Sequence, residues 1–310
     1  MGALLDGDSH ALMRLLAAGA EANVAFGDRL GRTPLMIAAL RGDVRSALIL
    51  LEHSDPDRKD QAGMTALMIA CEHGHALCSK AIAPVSHVNL TDKDGRTALM
   101  LAAHYGHLGC IEALAAFNAD STLKDLDGRN ALAVAIIHSH DDCALWLCKL
   151  PGHDDGDKQG VTPLMHACMS GRHEVVNALA ERVDLDQVAI DGHGATALSL
   201  AAYNGHTVCV KILLSAGANP DVADRAGMTA LMKAAIGRDP AFASLQLLAE
   251  VADPRVKDSA GRTASDYAMH RKYEDRAVLL DSRCAVLDER DALATASSRH
   301  GRSAIFKNRL

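Results

Sequence analysis

Aromatic side chains are scarce in this chain: one Trp, four Tyr and four Phe, 3% of 310 residues. Large rings supply much of the volume of an ordinary globular core. A sequence that is 49% apolar without them must fill its interior with Ala, Leu, Val and Met. Proline is sparse as well, with eight residues, so long stretches are free to form helix. An excess of positive charge is also missing. Lys and Arg number 32 against 39 Asp and Glu, a formal net charge of −7, and no basic stripe interleaved with aromatics runs along the chain. A nucleic-acid backbone is therefore not the expected partner.

No uninterrupted apolar run approaches the ~18 residues that span a bilayer, and the start Met1-Gly2-Ala3-Leu4-Leu5-Asp6 lacks the charged and apolar regions of a signal peptide. The Met-Gly start would suit myristoylation, but Asp6 stands where that motif needs Ser or Thr. The sequence predicts a chain that stays where it is made, with the cytoplasm as its setting and the nucleus or cytoskeleton as alternatives. Eight cysteines in such a chain read as reduced thiols.

Chemical signatures are equally absent. There is no C-x-x-C, no G-x-x-x-x-G-K-(S/T), no G-x-S-x-G and no kinase signature set, and Gly192-His193-Gly194 fails the dinucleotide fingerprint. Asp92-Lys93-Asp94-Gly95 and Asp125-Leu126-Asp127-Gly128 imitate half a calcium loop, but the twelfth positions are Ala103 and Ile136 instead of Glu. His73 with His75, and His138 with His140, lack nearby completing ligands for a metal. The expectation is no cofactor, no metal and no catalytic residue: not an enzyme.

What is present is a repeat. The pattern D-x-x-G-x-(T/N)-(A/P)-(L/S) occurs eight times, with its Asp at Asp28, Asp60, Asp92, Asp125, Asp157, Asp191, Asp224 and Asp258, and its Gly three residues on each time. Successive Asp positions lie 32 to 34 residues apart. Asp and Gly mark a tight turn. Thr33, Thr65, Thr97, Thr162, Thr196 and Thr229 are placed to N-cap a helix, and Pro34 and Pro163 sit where its first turn tolerates proline. Short Ala-rich helices follow, ending at turns such as Gly42-Asp43, Gly74-His75, Gly106-His107 and Gly205-His206. A second helix comes next, with leucines at helical spacing as in Leu213 and Leu214.

A turn plus two antiparallel helices per ~33 residues resembles the ankyrin repeat, over roughly residues 3–285. The segment Asp92 to His107, DKDGRTALMLAAHYGH, follows that family's pattern throughout. In place of the family's TPLH, Met36, Met68, Met100, Met165 and Met232 take the His position in five units, and Ala133, Ser199 and Asp266 in others. That histidine's inter-repeat hydrogen bonds are therefore not carried over. The repeated T-A-L-M with Gly-His turns resembles the protein 21.1-type ankyrin arrays of flagellated protist parasites. The resemblance implies an all-α solenoid of stacked helix-turn-helix units with β-turn or hairpin tips, monomeric, and a non-catalytic scaffold binding other proteins on a concave face. Alternative readings are a regulatory or targeting subunit for an ankyrin-associated kinase, and a ubiquitin-ligase substrate adaptor.

The expected organisation is a partial unit over 1–27, either a degenerate cap or a truncation, then eight repeats over 28–290, the last a cap, and a basic tail over 291–310, disordered or weakly docked. Ser303, after Arg299-His300-Gly301-Arg302, is a candidate phosphosite, an ordinary basic tail being the simpler reading. Cys78, Cys110, Cys143 and Cys209 recur three residues after the turn histidine. They are read, with Cys71 and Cys168, as small core residues, and equivalent positions in stacked units, ~10 Å apart, are too distant for disulfides. The turn histidines read as turn formers. Two sets of positions are left free by the repeat and form the candidate binding surface. One is the helix-end pairs, Glu72-His73, His104-Tyr105, Ile137-His138 and Tyr203-Asn204. The other is the tips, with Lys93, Asp94, Leu126 and Lys158.

Overall fold

The computed structural model describes residues 9–23, 29–152, 154–239 and 242–307; Asp28 of the first turn and Leu4, Leu5, Gly7 and Asp8 lie outside them. Seventeen α-helices occur among the described residues. No strand does, and the only bridge of β type there is an isolated antiparallel one between Thr91 and Thr97. The chain forms two compact units, Met1–Val183 and Asp184–Leu310.

In the first unit, α1 (Ser9–Ala17) precedes five helix pairs: α2 (Pro34–Arg41) with α3 (Val44–Leu51), α4 (Ala66–Glu72) with α5 (Ala76–Ile82), α6 (Ala98–Tyr105) with α7 (Leu108–Ala115), α8 (Ala131–Ile137) with α9 (Asp141–Leu147), and α10 (Pro163–Ser170) with α11 (His173–Ala180). First helices stack on first helices and second helices on second. The second unit repeats the plan with α12 (Ala197–Asn204) and α13 (Thr207–Ser215), α14 (Ala230–Ile236) and α15 (Ala243–Val251), and α16 (Ala264–His270) and α17 (Glu274–Lys307). No described helix is long and apolar enough to cross a membrane.

Each pair forms for local reasons. At the tips, Asp92 Oδ1 accepts the amides of Asp94 and Arg96 at 2.9 and 2.8 Å, and Asp92 N–H closes the turn on Arg96 O at 3.0 Å. Asp125, Asp224 and Asp258 do the same. Tips join their neighbours through the backbone, Lys93 N to Ala62 O, Leu126 N to Asp94 O and Lys158 N to Asp127 O in the first unit. The Thr hydroxyls of residues 33, 65, 97, 162 and 196 then accept the N3 amide of the first helix. Asn130 caps α8 in the same way. Thr229 makes no such bond, and nothing in the structure explains that exception.

The third helical residue answers the cap. Sulfur of Met36, Met68 and Met165 accepts the Thr amide at 3.3 to 3.5 Å, as Ser199 Oγ and Asp266 Oδ2 do at 3.0 and 2.8 Å. The capping-box role thus survives the loss of the family's histidine, with a weaker acceptor. The interior is the expected one of small and aliphatic groups. Leu67, Leu99, Leu132, Leu164, Leu198 and Leu231, at the shared T-(A/P)-L or N-A-L position, are all buried. Seven of the eight cysteines are buried and all are free thiols, and burial pushes Cys78, Cys143 and Cys209 up to about 11.

At the C-terminal end the structure differs from the expected irregular tail: the backbone of α17 continues helical to Lys307. Residues 292–307 hold a single glycine and no proline, so nothing in them stops a helix once started. The side chain of Ser303 lies outside the described residues.

Candidate functional site

First helices end where the chain must reverse, and Gly42, Gly106, Gly171 and Gly205 close them in the left-handed region with φ of 68 to 77°. The residues just before that reversal project from the helix ends. In the first unit the structure brings these candidates together across repeats. Tyr105 O–H donates to Glu72 Oε1 at 3.3 Å, and the rings of His104 and His138 lie 3.8 Å apart, with Tyr105 edge-on to His104 at 4.6 Å. Tyr105, Ile137, His138 and His73 are exposed, and Glu72 and His104 half-buried. Neither His104 nor His138 has a side-chain hydrogen bond among the described residues. Partial burial, followed for His104 by His138 and Arg96 and for His138 by His140 and Arg129, lowers both imidazole pKa values. The pair is therefore neutral at neutral pH.

Other candidates are less free than the sequence implies. His73 Nδ1 lies 3.0 Å from Ile69 O of its own helix. Asp94, exposed at the tip, pairs with Arg96 at 3.1 Å, whereas exposed Lys93 uses only its backbone. Leu126 and Lys158 are also exposed tip residues. Tyr203 and Asn204 belong to the second unit. Asn204 Nδ2 turns back to Leu200 O at 2.9 Å, and the half-buried Tyr203 ring carries the Arg238 guanidinium 5.9 Å from its centroid.

The turn histidines are more than turn formers. His75 Nε2 sits 3.1 Å from Leu40 O, His107 Nε2 3.1 Å from Glu72 O, and His140 Nε2 2.9 Å from His104 O. Each donates to the last turn of the preceding repeat's first helix, satisfying a carbonyl that the helix end leaves over. A second cross-repeat device went unread in the sequence. Asn23, Asp57 and Asn89 in the first unit accept the amides of Asp55, His87 and Asp120, and Asp186 and Asp221 in the second accept those of Asn219 and Asp253. The signal was available as Asp or Asn recurring in the loop before each tip. Cys71 and Cys110, at non-equivalent positions of neighbouring repeats, also approach each other, both touching Ser79 Oγ at 3.4 and 3.6 Å. Among the described residues no three His, Cys, Asp or Glu side chains gather as a metal set would.

The profile described as "Ankyrin repeats (3 copies)" matches residues 1–85, 77–156, 149–224 and 198–291. The chain is an ankyrin-repeat protein. It is 38% identical over 104 residues to the ankyrin repeat and SAM domain-containing protein 6 of Rattus norvegicus, covering 33% of this chain and 12% of that protein. To a putative ankyrin repeat-containing protein of Treponema pallidum it is 34% identical over 113 residues, 36% of this chain and 37% of the relative. The chain thus spans well under two thirds of these relatives. The solved ankyrin repeat domain of human ASB11 superposes with a TM-score of 0.58 at 26% identity, covering 70% of this chain and 98% of that domain. Ankyrin repeats are, as a rule, non-catalytic protein–protein interaction modules.

Proposed function

We propose that this ankyrin array is a non-catalytic scaffold that holds partner proteins on the helix ends and tips of its first helices, working in the cytoplasm. The observation that carries the reading is a division of labour in the first unit. The turn histidines His75, His107 and His140 are spent on the frame, while the side chains of adjacent His104, Ile137 and His138 cluster at the surface with no hydrogen bond to it, beside Tyr105, whose hydroxyl donates to the Glu72 side chain. Tyrosine at such a place buries a rigid ring and keeps a polar end, as interface anchors do. The T-A-L-M habit, which resembles that of protein 21.1-type arrays, fits a protein built for binding.

The test is affinity capture followed by mass spectrometry, with the wild-type chain and with Tyr105→Ala and Tyr203→Ala. A partner held at the helix ends loses roughly 1–3 kcal/mol with each substitution while the melting temperature stays put. Arg45→Ala and Lys211→Ala, on second helices, leave it bound. A partner indifferent to both tyrosines, but lost on deleting residues 292–310, would place binding on the C-terminal segment and refute the reading. A single kinase or cullin subunits among the captured proteins would favour the regulatory or ligase-adaptor alternatives.

A further inference from the structure

In the second unit the reversal after α16 departs from the frame. Where α2, α6, α10 and α12 end in glycine, α16 runs into Arg271 and Lys272, and Lys272 holds the glycine conformation at φ 62°. A residue with a Cβ is strained there. Ser139, at φ 66° after α8, has a structural account: its hydroxyl accepts a hydrogen bond from the Arg172 guanidinium. Lys272 has none. Among the described residues the side chains of Lys272 and Arg271 make no hydrogen bond or ion pair, and both are exposed.

These two cations rim a hollow of about 540 Å³ lined also by Ile236, Arg262, Asp266, Tyr267 and His270. The acidic groups beside it are already engaged. Asp266 accepts Thr263 N–H and O–H at 2.8 and 2.9 Å, and Asp258 accepts the Tyr267 hydroxyl at 2.6 Å and the Arg262 guanidinium at 2.9 Å. Glu274 and Asp275 line the adjoining hollow with Arg238 and Lys272 and belong to the first turn of α17, where negative charge is favourable. Positive charge at the end of α16 offsets its dipole, but that end carries only about half a negative charge, and the glycine-ended helices do without a lysine. The lysine at this strained position thus meets no partner within the described fold.

We propose that this hollow docks an acidic segment of a partner protein, its carboxylates on Arg271 and Lys272 and an apolar side chain against Ile236. The inference rests on the reading of the chain as a protein-binding scaffold, and commits to an Asp- or Glu-rich peptide as occupant. Carboxylates fit two exposed cations, and the half-buried Ile236 beneath them favours a peptide with an apolar residue over a bare polyanion.

The experiment titrates the full chain into a fluorescein-labelled peptide of Asp and Glu flanking one Leu, read by anisotropy, alongside thermal melts. Lys272→Gly is the informative variant, because strain and recognition pull it in opposite directions. It raises the melting temperature by about 2–4 °C and weakens the peptide about 2- to 5-fold. Arg271→Ala weakens it similarly without stabilising, and raised salt weakens the wild type. Peptide binding unmoved by Lys272→Gly, no binding by the wild type, or a Lys272→Gly chain no more stable than wild type would overturn the proposal. So would equal affinity for a Leu-flanking Ser/Gln peptide, a phosphopeptide or anionic lipid vesicles. Partner capture that depends on Tyr105 in the first unit survives all of these failures, so the two readings fall separately.

Discussion

Gly74 and His107 offer a direct test of how one repeat is clamped to the next. Gly74 sits at φ 74°, and a methyl added there would lie 2.6 Å from His107 Nδ1, 2.7 Å from Cε1 and 3.0 Å from Cγ. The ring cannot retreat, because its far nitrogen holds Glu72 O at 3.1 Å. Gly74→Ala alone carries the left-handed cost of about 1–2 kcal/mol plus an overpacking cost of about 1–3 kcal/mol. His107→Ala alone forfeits the hydrogen bond and strands the carbonyl, about 1–3 kcal/mol. In the double variant the collision is gone, while the backbone cost of the alanine and the stranded Glu72 carbonyl remain. The pair should therefore be less damaging than the sum by the overpacking cost that the double variant escapes, about 1–3 kcal/mol. Urea unfolding gives the cycle, and amide exchange in α4 and α6 shows whether the loss is local to that junction, as a stack of nearest-neighbour contacts requires. Gly42 with His75 and Gly106 with His140 have the same geometry, at 2.6 and 2.5 Å, and should couple alike. Gly205 is the control. Its Cβ would meet Asp239 Cα, Cβ and N at 3.0 Å, so truncating Asp239 cannot relieve it. Additivity within about 0.5 kcal/mol at Gly74, or equal coupling at Gly205, would refute the clamp.

Two further expectations concern stability. Leu99→Ala and Leu231→Ala, both 1% exposed, should each cost roughly 2–5 kcal/mol with exchange protection lost mainly in the altered repeat and its neighbours; uniform loss along the chain would contradict a quasi-one-dimensional stack. Acid should destabilise the fold before its carboxylates titrate. Burial is the main cause that lowers His104, His138 and His166, for His166 even against the attraction of Asp157. A lowered folded value means the unfolded chain takes the proton first, so their contribution is complete above pH ~6.5 and is lost as pH falls below it. Exposed His87, raised by its hydrogen bond to Asp57, acts in the opposite sense but is open to solvent screening. Urea midpoints at neutral pH and at two more acidic values check this; a midpoint that rises on acidification would refute it, and His166→Gln should flatten the curve.

How much of this was legible depends on whether the feature repeats. The tips, the Thr caps, the buried Leu of T-A-L and the cysteine positions recur at fixed spacing, and a recurring residue type has one physical reason that can be inferred once and applied throughout. Features that join non-equivalent positions were not legible. Cys71 meets Cys110 through Ser79 because α5, which carries Ser79, packs both on the first helix of its own repeat and on the second helix of the next. Sequence spacing of equivalent cysteines cannot show that. His104 and His138 meet only because the ends of α6 and α8 are neighbours, although the sequence places each in the same class of free position. Departures within the frame were visible as letters but not as meaning: Lys272 stands in a glycine place, and only its φ of 62° beside an exposed, unpaired side chain gives that letter a physical sense.

The helix-end surface shows why histidine count alone says little in this chain. His138 and His140 are two residues apart and of one type, yet their roles are opposite. His140 caps a second helix and reaches back 2.9 Å to His104 O, so replacing it loosens a junction. His138 closes a first helix with its ring exposed against that of His104, so replacing it removes a ring contact but no hydrogen bond of the frame. The backbone carbonyl of His104 is thereby fixed by the frame while its side chain is left free to pack on His138. Partner specificity can accordingly drift at residues 104, 137 and 138 without touching the hydrogen bonds that stack the repeats, whereas Tyr105 also donates across the junction to Glu72. A His138→Ala chain should melt as the wild type does while an equally small change at His140 lowers the midpoint, and equal loss from both would mean that surface and frame are not separable here.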